Sequence, residues 1–104
     1  MSTTKEYKNY VLEKLECLDS IFCRPMMGGY LFYYRDILFG GIYENDNFLI
    51  KKTSSNEKYH LMEELPYKGA KMMYLIDDLE DSELLRNIIL DTCKDLKPKD
   101  KKKS

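Results

Sequence analysis

The sequence is poor in the residues that build metal and redox sites. Its three cysteines, Cys17, Cys23 and Cys93, include no C-x-x-C pair, and His60 is the only histidine. The paired ligands at short spacing that mark zinc sites are therefore absent. We expect no metal and no cofactor. We interpret the cysteines as reduced, unbridged thiols, with Cys17 and Cys93 substantially buried on the apolar faces of two helices.

Signatures of catalysis are also missing. No serine lies in a G-x-S-x-G segment, and neither a P-loop nor a G-x-G-x-x-G segment occurs. The acidic run from Asp77 to Glu83 has no glycine in its middle, which a calcium loop requires. We interpret these acids as complementing the dipole of a helix that begins there, and His60 as a surface histidine. The sequence thus offers no catalytic residue and predicts a protein that is not an enzyme.

No apolar run approaches the roughly 18 residues of a membrane helix. The first ten residues, Met1 to Tyr10, are polar and lack the apolar core of a signal peptide. We therefore expect a cytoplasmic protein without a membrane partner. The length of 104 residues, 43% of them hydrophobic, fits one domain with a core of its own.

Charge divides the chain into two parts. Residues 97–104 hold five lysines and one aspartate, so this tail has a charge of +4. Because the whole chain has a net charge of −1, residues 1–96 have a charge of −5. We expect residues 1–96 to form the domain and residues 97–104 to be a disordered basic tail. An acidic domain is a poor surface for duplex DNA. The tail leaves weak, non-specific binding of nucleic acid as an alternative role.

Hydrophobic periodicity predicts an α+β domain with the element order α-β-β-β-β-α-β-α. Short connections favour a mainly antiparallel sheet of five strands, with the helices packed on one face. The other face must then meet solvent, a partner or a second copy. The predicted helices lie near 4–19, 53–62 and 82–96, and the strands near 21–26, 30–34, 37–43, 48–52 and 71–76.

Proline and glycine refine the prediction for the sheet. Pro25 cannot donate a backbone hydrogen bond, so the first strand belongs at an edge of the sheet or ends there. Gly40 and Gly41 stand together inside a strand, which indicates a β-bulge or a close approach of two backbones.

Aromatic residues dominate the second strand. Alternation places Tyr30, Phe32 and Tyr34 on one face, and Leu31 and Tyr33 on the other. RNA-binding sheets display aromatics in this way, but the basic residue and glycine that begin their sequence motif are missing. Core packing and a protein interface are the interpretations that we favour.

The segment from Cys23 to Tyr30, CRPMMGGY, resembles the R-x-M-F-G-G-Y-like segment of TfoX (Sxy) N-terminal domains, with Met27 in place of the phenylalanine of that family. The resemblance continues through LFYYRD at 31–36, LFGGIY at 38–43 and FLIK at 48–51, and spans about residues 5–96. It implies an α+β fold with an antiparallel sheet and an association with the regulation of competence genes for DNA uptake. It brings no catalytic residue with it.

We therefore predict a non-enzymatic regulatory module that acts through protein contacts with an unknown partner, possible homodimerisation included. Two alternatives stay open. One is a nucleic-acid-associated accessory protein that uses the lysine tail. The other is a small-ligand-binding protein, which a convergent pocket with perturbed titratable groups would favour. The candidate interaction surface consists of Arg24, Met26, Met27, Gly28, Gly29, Tyr30 and Lys51.

Overall fold

The computed structural model describes residues 5–26, 29–43 and 47–96. Within them, helix α1 (Lys5–Lys14) continues into a 3₁₀ turn (Leu15–Cys17), a second 3₁₀ turn spans Ser54–Tyr59, and helix α2 spans Ser82–Lys94. The expected basic tail lies outside the described residues. The strands are β1 (Ile21–Met26), β2 (Gly29–Tyr34), β3 (Ile37–Ile42), β4 (Phe48–Ile50), β5 (Glu63–Glu64) and β6 (Met73–Leu75).

All six strands join one antiparallel sheet in the order β1-β2-β3-β4-β6-β5. The predicted α+β class and antiparallel sheet are confirmed. Strand β1 lies at an edge, as Pro25 predicted. The bulge predicted from the glycines lies between β2 and β3, where Phe32 pairs with Gly40, Tyr33 pairs with Leu38, and Phe39 is the additional residue. A Cβ atom on Gly40 would lie only 2.1 Å from the carbonyl oxygen of Leu49, so the close approach is also confirmed.

The prediction of five strands is wrong, because β5 is a sixth. It consists of Glu63 and Glu64, which pair with Tyr74 and Met73 of β6. The backbone N–H of Leu75 also donates to the carbonyl of Met62, at 2.7 Å. Glutamates have a low strand propensity, and two residues are too few for an alternating pattern. Tertiary pairing alone forms this strand.

Helix α1 is shorter than periodicity predicted, and this corrects one prediction about the thiols. The α-helix ends at Lys14 and tightens into the 3₁₀ turn, which has three residues per turn rather than 3.6. Leu15 and Leu18 take the buried positions, and Cys17 is exposed rather than buried. Cys93 is buried as predicted, and all three cysteines are free.

Both helices pack on the same side of the sheet, as expected from the sequence. We call this side the covered face and the other side the open face. The rings of Phe32, Phe39 and Phe48 meet at the centre of the covered face, with centroids 5.5 to 6.5 Å apart. The helices contribute Val11, Leu15, Leu85, Ile88, Ile89 and Cys93 to the same core.

A buried polar network ties the second 3₁₀ turn to both β4 and α2. The Asn56 side chain is fully buried, and its amide nitrogen donates to the Lys51 carbonyl and to Oγ1 of Thr92, each at 2.8 Å. Its oxygen accepts from the Thr53 backbone N–H at 2.9 Å, and Thr92 donates to the Ile88 carbonyl. Because buried polar groups cost free energy when unpaired, this network fixes the chain that follows β4.

Candidate functional site

The open face carries the candidate site. Its central row follows the strand register from Arg24 of β1 through Leu31, Gly41 and Leu49 to Leu75 of β6. None of these residues belongs to the core beneath the helices. The row ends in two different surroundings, an exposed apolar edge at β1 and a cleft beside β4 and β6.

The first region, here called the Phe22 patch, consists of Phe22, Arg24 and Met26 of β1 and Leu31 of β2. Ile21 and Cys23 pack into the core, so alternation turns Phe22, Arg24 and Met26 to the open face. The Phe22 side chain is 60% exposed although its ring lies 6.1 Å from that of its cross-strand partner, Tyr33. An exposed phenylalanine beside an arginine on an edge strand has the composition of a protein interface.

The second region is a cleft of about 590 Å³, here called the cationic cleft. Part of its wall comes from the chain between β5 and β6, which lies against the open face there. Pro66 of that chain is buried, and Leu49 of β4 is completely buried although it faces away from the helices. The cleft is lined by Tyr43, Lys51, Lys52, Pro66, Tyr67, Gly69, Ala70, Lys71, Met72 and Met73.

The charged side chains of this lining, as far as the structure describes the chain, are all basic. They are three lysines, with no carboxylate among the described residues. The ammonium of Lys52 lies 3.1 Å from a carboxylate oxygen of Glu63 and 5.5 Å from the centroid of the Tyr74 ring. Lys71 is exposed and forms no salt bridge with any residue that the structure describes. The backbone carbonyl of Lys51 is held by Asn56.

Two tyrosines form the aromatic part of the cleft. The ring centroids of Tyr43 and Tyr67 lie 6.2 Å apart. The hydroxyl of Tyr43 lies over Gly41, 3.3 Å from the point that a Cβ atom would occupy, so the missing side chain leaves room for it. Burial, followed by the proximity of Tyr67, raises the pKa of Tyr43. Its hydroxyl therefore stays protonated at neutral pH.

Comparison with protein-family models, with curated proteins and with solved structures found no match to this chain. The resemblance to TfoX N-terminal domains therefore stays a prediction that depends on the sequence segments alone.

The structure divides the predicted interaction surface between several places. Arg24 and Met26 lie in the Phe22 patch, and Gly29 is buried where a Cβ atom would collide with the Ile42 carbonyl oxygen, at 2.0 Å. Tyr30 lies on the covered face, where the Lys8 ammonium is 5.3 Å from its ring centroid. Met27 and Gly28 lie outside the described residues.

Lys51 belongs to the cationic cleft, three strands away from Arg24, which is about 14 Å at the usual strand spacing. Sequence reasoning missed Phe22, Tyr67 and Lys71. The alternation of Ile21, Phe22 and Cys23 could have placed Phe22 on the open face. Tyr67 and Lys71 lie in a loop, where no periodicity indicates which way a side chain points.

The remaining charged clusters tie elements together. Glu80 accepts from the Tyr10 hydroxyl at 2.6 Å and from the Lys14 ammonium at 3.1 Å; these contacts lower the pKa of Glu80, and the first raises that of Tyr10 to about 12. Asp91 accepts from Tyr59 at 2.6 Å, which lowers its pKa. The contacts of Glu80 attach α1 to the segment just before α2. The contact of Asp91 attaches the second 3₁₀ turn to α2.

Within residues 5–26, 29–43 and 47–96, no group of three or more histidines, cysteines and acids could hold a metal ion. No helix in that part of the chain is long and apolar enough to cross a membrane. His60 is exposed, and its backbone is left-handed, with φ of 54°, where it ends the second 3₁₀ turn.

Proposed function

We propose that the chain is a non-enzymatic regulatory module of the TfoX N-terminal type that binds a protein partner through the Phe22 patch. The observation that carries the proposal is the 60% exposure of Phe22 on an edge strand of the open face. Large apolar side chains grouped at a surface mark interaction sites, and aromatic and arginine residues supply much of the binding energy at interfaces.

The chemistry of the patch favours a protein over a nucleic acid. Phe22, Met26 and Leu31 surround a single positive charge, that of Arg24. A duplex-binding surface needs a stripe of several cations to neutralise phosphates. The link to competence genes is supported by the sequence resemblance, and the patch supplies a surface through which such a regulatory contact is made.

Cross-linking from two exposed apolar positions tests the proposal. A photoreactive amino acid replaces Phe22 in one variant and Leu84 of α2, which is 41% exposed, in the matched control. Both are expressed in the source cell, and the adducts are identified by mass spectrometry. We expect one defined protein adduct from position 22 that is absent from position 84.

Arg24→Glu, combined with the photoreactive residue at position 22, should reduce that adduct several-fold without unfolding the domain. An adduct with a second copy of the chain would show that the partner is that second copy and that the protein forms a homodimer. Equal adduct patterns from positions 22 and 84, or a position-22 adduct indifferent to Arg24→Glu, would contradict the proposal.

A further inference from the structure

The cationic cleft lies at the other end of the open face from the Phe22 patch, and its charge is opposite to that of the protein around it. Residues 1–96 carry −5, yet the described residues that line the cleft include Lys51, Lys52 and Lys71 and no acid; of these lysines, Lys52 is paired with Glu63 from outside the lining. Cations gathered in a concave site with low-dielectric walls focus a positive potential there. An anion is the ligand that such a site recruits.

The shape and the apolar lining indicate an organic anion rather than a simple ion. A volume of about 590 Å³ is that of a small-molecule site, and far exceeds what one phosphate ion occupies. Tyr67 is 56% exposed and offers a ring face, while Met72 and Met73 supply polarisable apolar surface. The half-buried Tyr43, whose hydroxyl lies over Gly41, adds a polar group.

We propose that the cationic cleft binds a mononucleotide-sized organic phosphate, with its planar ring against Tyr67 and its phosphate between Lys51 and Lys71. Lysine binds phosphate as a point charge, and flat heteroaromatic rings stack on tyrosine. An acidic peptide fits less well, because its carboxylates are spread along an extended chain of about 3.3 Å per residue, whereas Lys51 and Lys71 line one cleft.

Titration of the full chain with whole nucleotides and with their separate parts tests this site. The probes are AMP, GMP, CMP and UMP, the corresponding nucleosides, inorganic phosphate and a tetraglutamate peptide, followed by NMR shifts of the backbone amides. We expect at least one nucleotide to shift the backbone amide resonances of residues 67–73. It should bind about tenfold more tightly than its nucleoside or phosphate alone, because stacking adds to the ionic contact.

Two variants and a control locate the binding. Lys71→Gln should weaken the nucleotide about threefold to fivefold, the range of an exposed ionic contact. Tyr67→Leu should remove most of the preference for the nucleotide over phosphate. Lys68→Gln is the control, because Lys68 lies in the same loop and is exposed but does not line the cleft. Its effect should be markedly smaller than that of Lys71→Gln.

Three results would overturn the site. The first is binding of all four nucleotides no tighter than about 10 mM. The second is a nucleotide affinity that Lys71→Gln and Tyr67→Leu leave unchanged. The third is tighter binding of tetraglutamate than of every nucleotide, which would assign the cleft to acidic peptides instead. The cross-linking test of the Phe22 patch is independent of all three.

Discussion

The two faces of the sheet use the same kinds of side chain for different purposes. On the covered face, Phe32, Phe39 and Phe48 are completely buried under two helices. On the open face, Phe22 is 60% exposed, although it belongs to the same sheet. Burial of apolar area stabilises the fold, while apolar area that stays exposed retains that free energy for binding.

The open face is itself divided. The chain between β5 and β6 lies against its β4 side, where Leu49 is completely buried, and forms the cationic cleft there. Towards β1, no element among the described residues covers Phe22. The domain therefore has one face buried under the helices, and an open face with a cleft at its β4 side and an exposed apolar patch at its β1 edge.

The strongest test of this division replaces a phenylalanine on each face with alanine. Phe48→Ala should lower the free energy of unfolding by about 3–5 kcal/mol, because it leaves a cavity among the rings of the covered face. Phe22→Ala should cost about 1 kcal/mol or less, the contribution of one cross-strand aromatic contact. Chemical denaturation measures both. Comparable losses for the two variants would show that the open face is as much a part of the core as the covered face.

A leucine pair sharpens the comparison within the open face. Leu49→Ala should cost about 2–4 kcal/mol, because Leu49 is completely buried although it faces away from the helices. Leu31→Ala, two strands away in the same row and only half-buried, should cost about 1 kcal/mol. Urea unfolding of both variants gives the values. Equal costs would mean that the loop of the cleft contributes nothing to the stability of the sheet.

Periodicity predicted the elements that bury a regular stripe. Strand β1 agrees with its predicted bounds, and α2 begins at Ser82 within the acidic run, with Asp81 accepting from the Leu84 backbone N–H at 3.1 Å. Pro25 and the paired glycines predicted the edge and the bulge because their backbone chemistry is local. Such features depend on a few neighbouring residues and can therefore be read from the sequence.

The candidate site was less predictable because distant segments build it. Tyr43 follows β3, Lys51 follows β4, and Tyr67 and Lys71 belong to a loop between two short strands. Their meeting depends on the pairing of β4 with β6, which sequence spacing does not encode. Cys17 was misplaced for a related reason, since the change from an α-helix to a 3₁₀ turn has no clear sequence signal.

The smallest of the three expected losses of stability comes from Asn56. Its substitution tests whether the hydrogen bond from Asn56 positions Lys51 of the cationic cleft. Asn56→Ala removes the amide that donates to the Lys51 carbonyl, and should cost about 1–3 kcal/mol because buried partners lose their hydrogen bonds. Asn87→Ala, an exposed asparagine on α2, is the control and should stay within about 0.5 kcal/mol of the original chain. Hydrogen exchange should also quicken at residues 49–52 in Asn56→Ala alone, because the end of β4 loses its anchor. Unchanged exchange there, despite lower global stability, would show that the pairing of β4 with its neighbours positions Lys51 without help from Asn56.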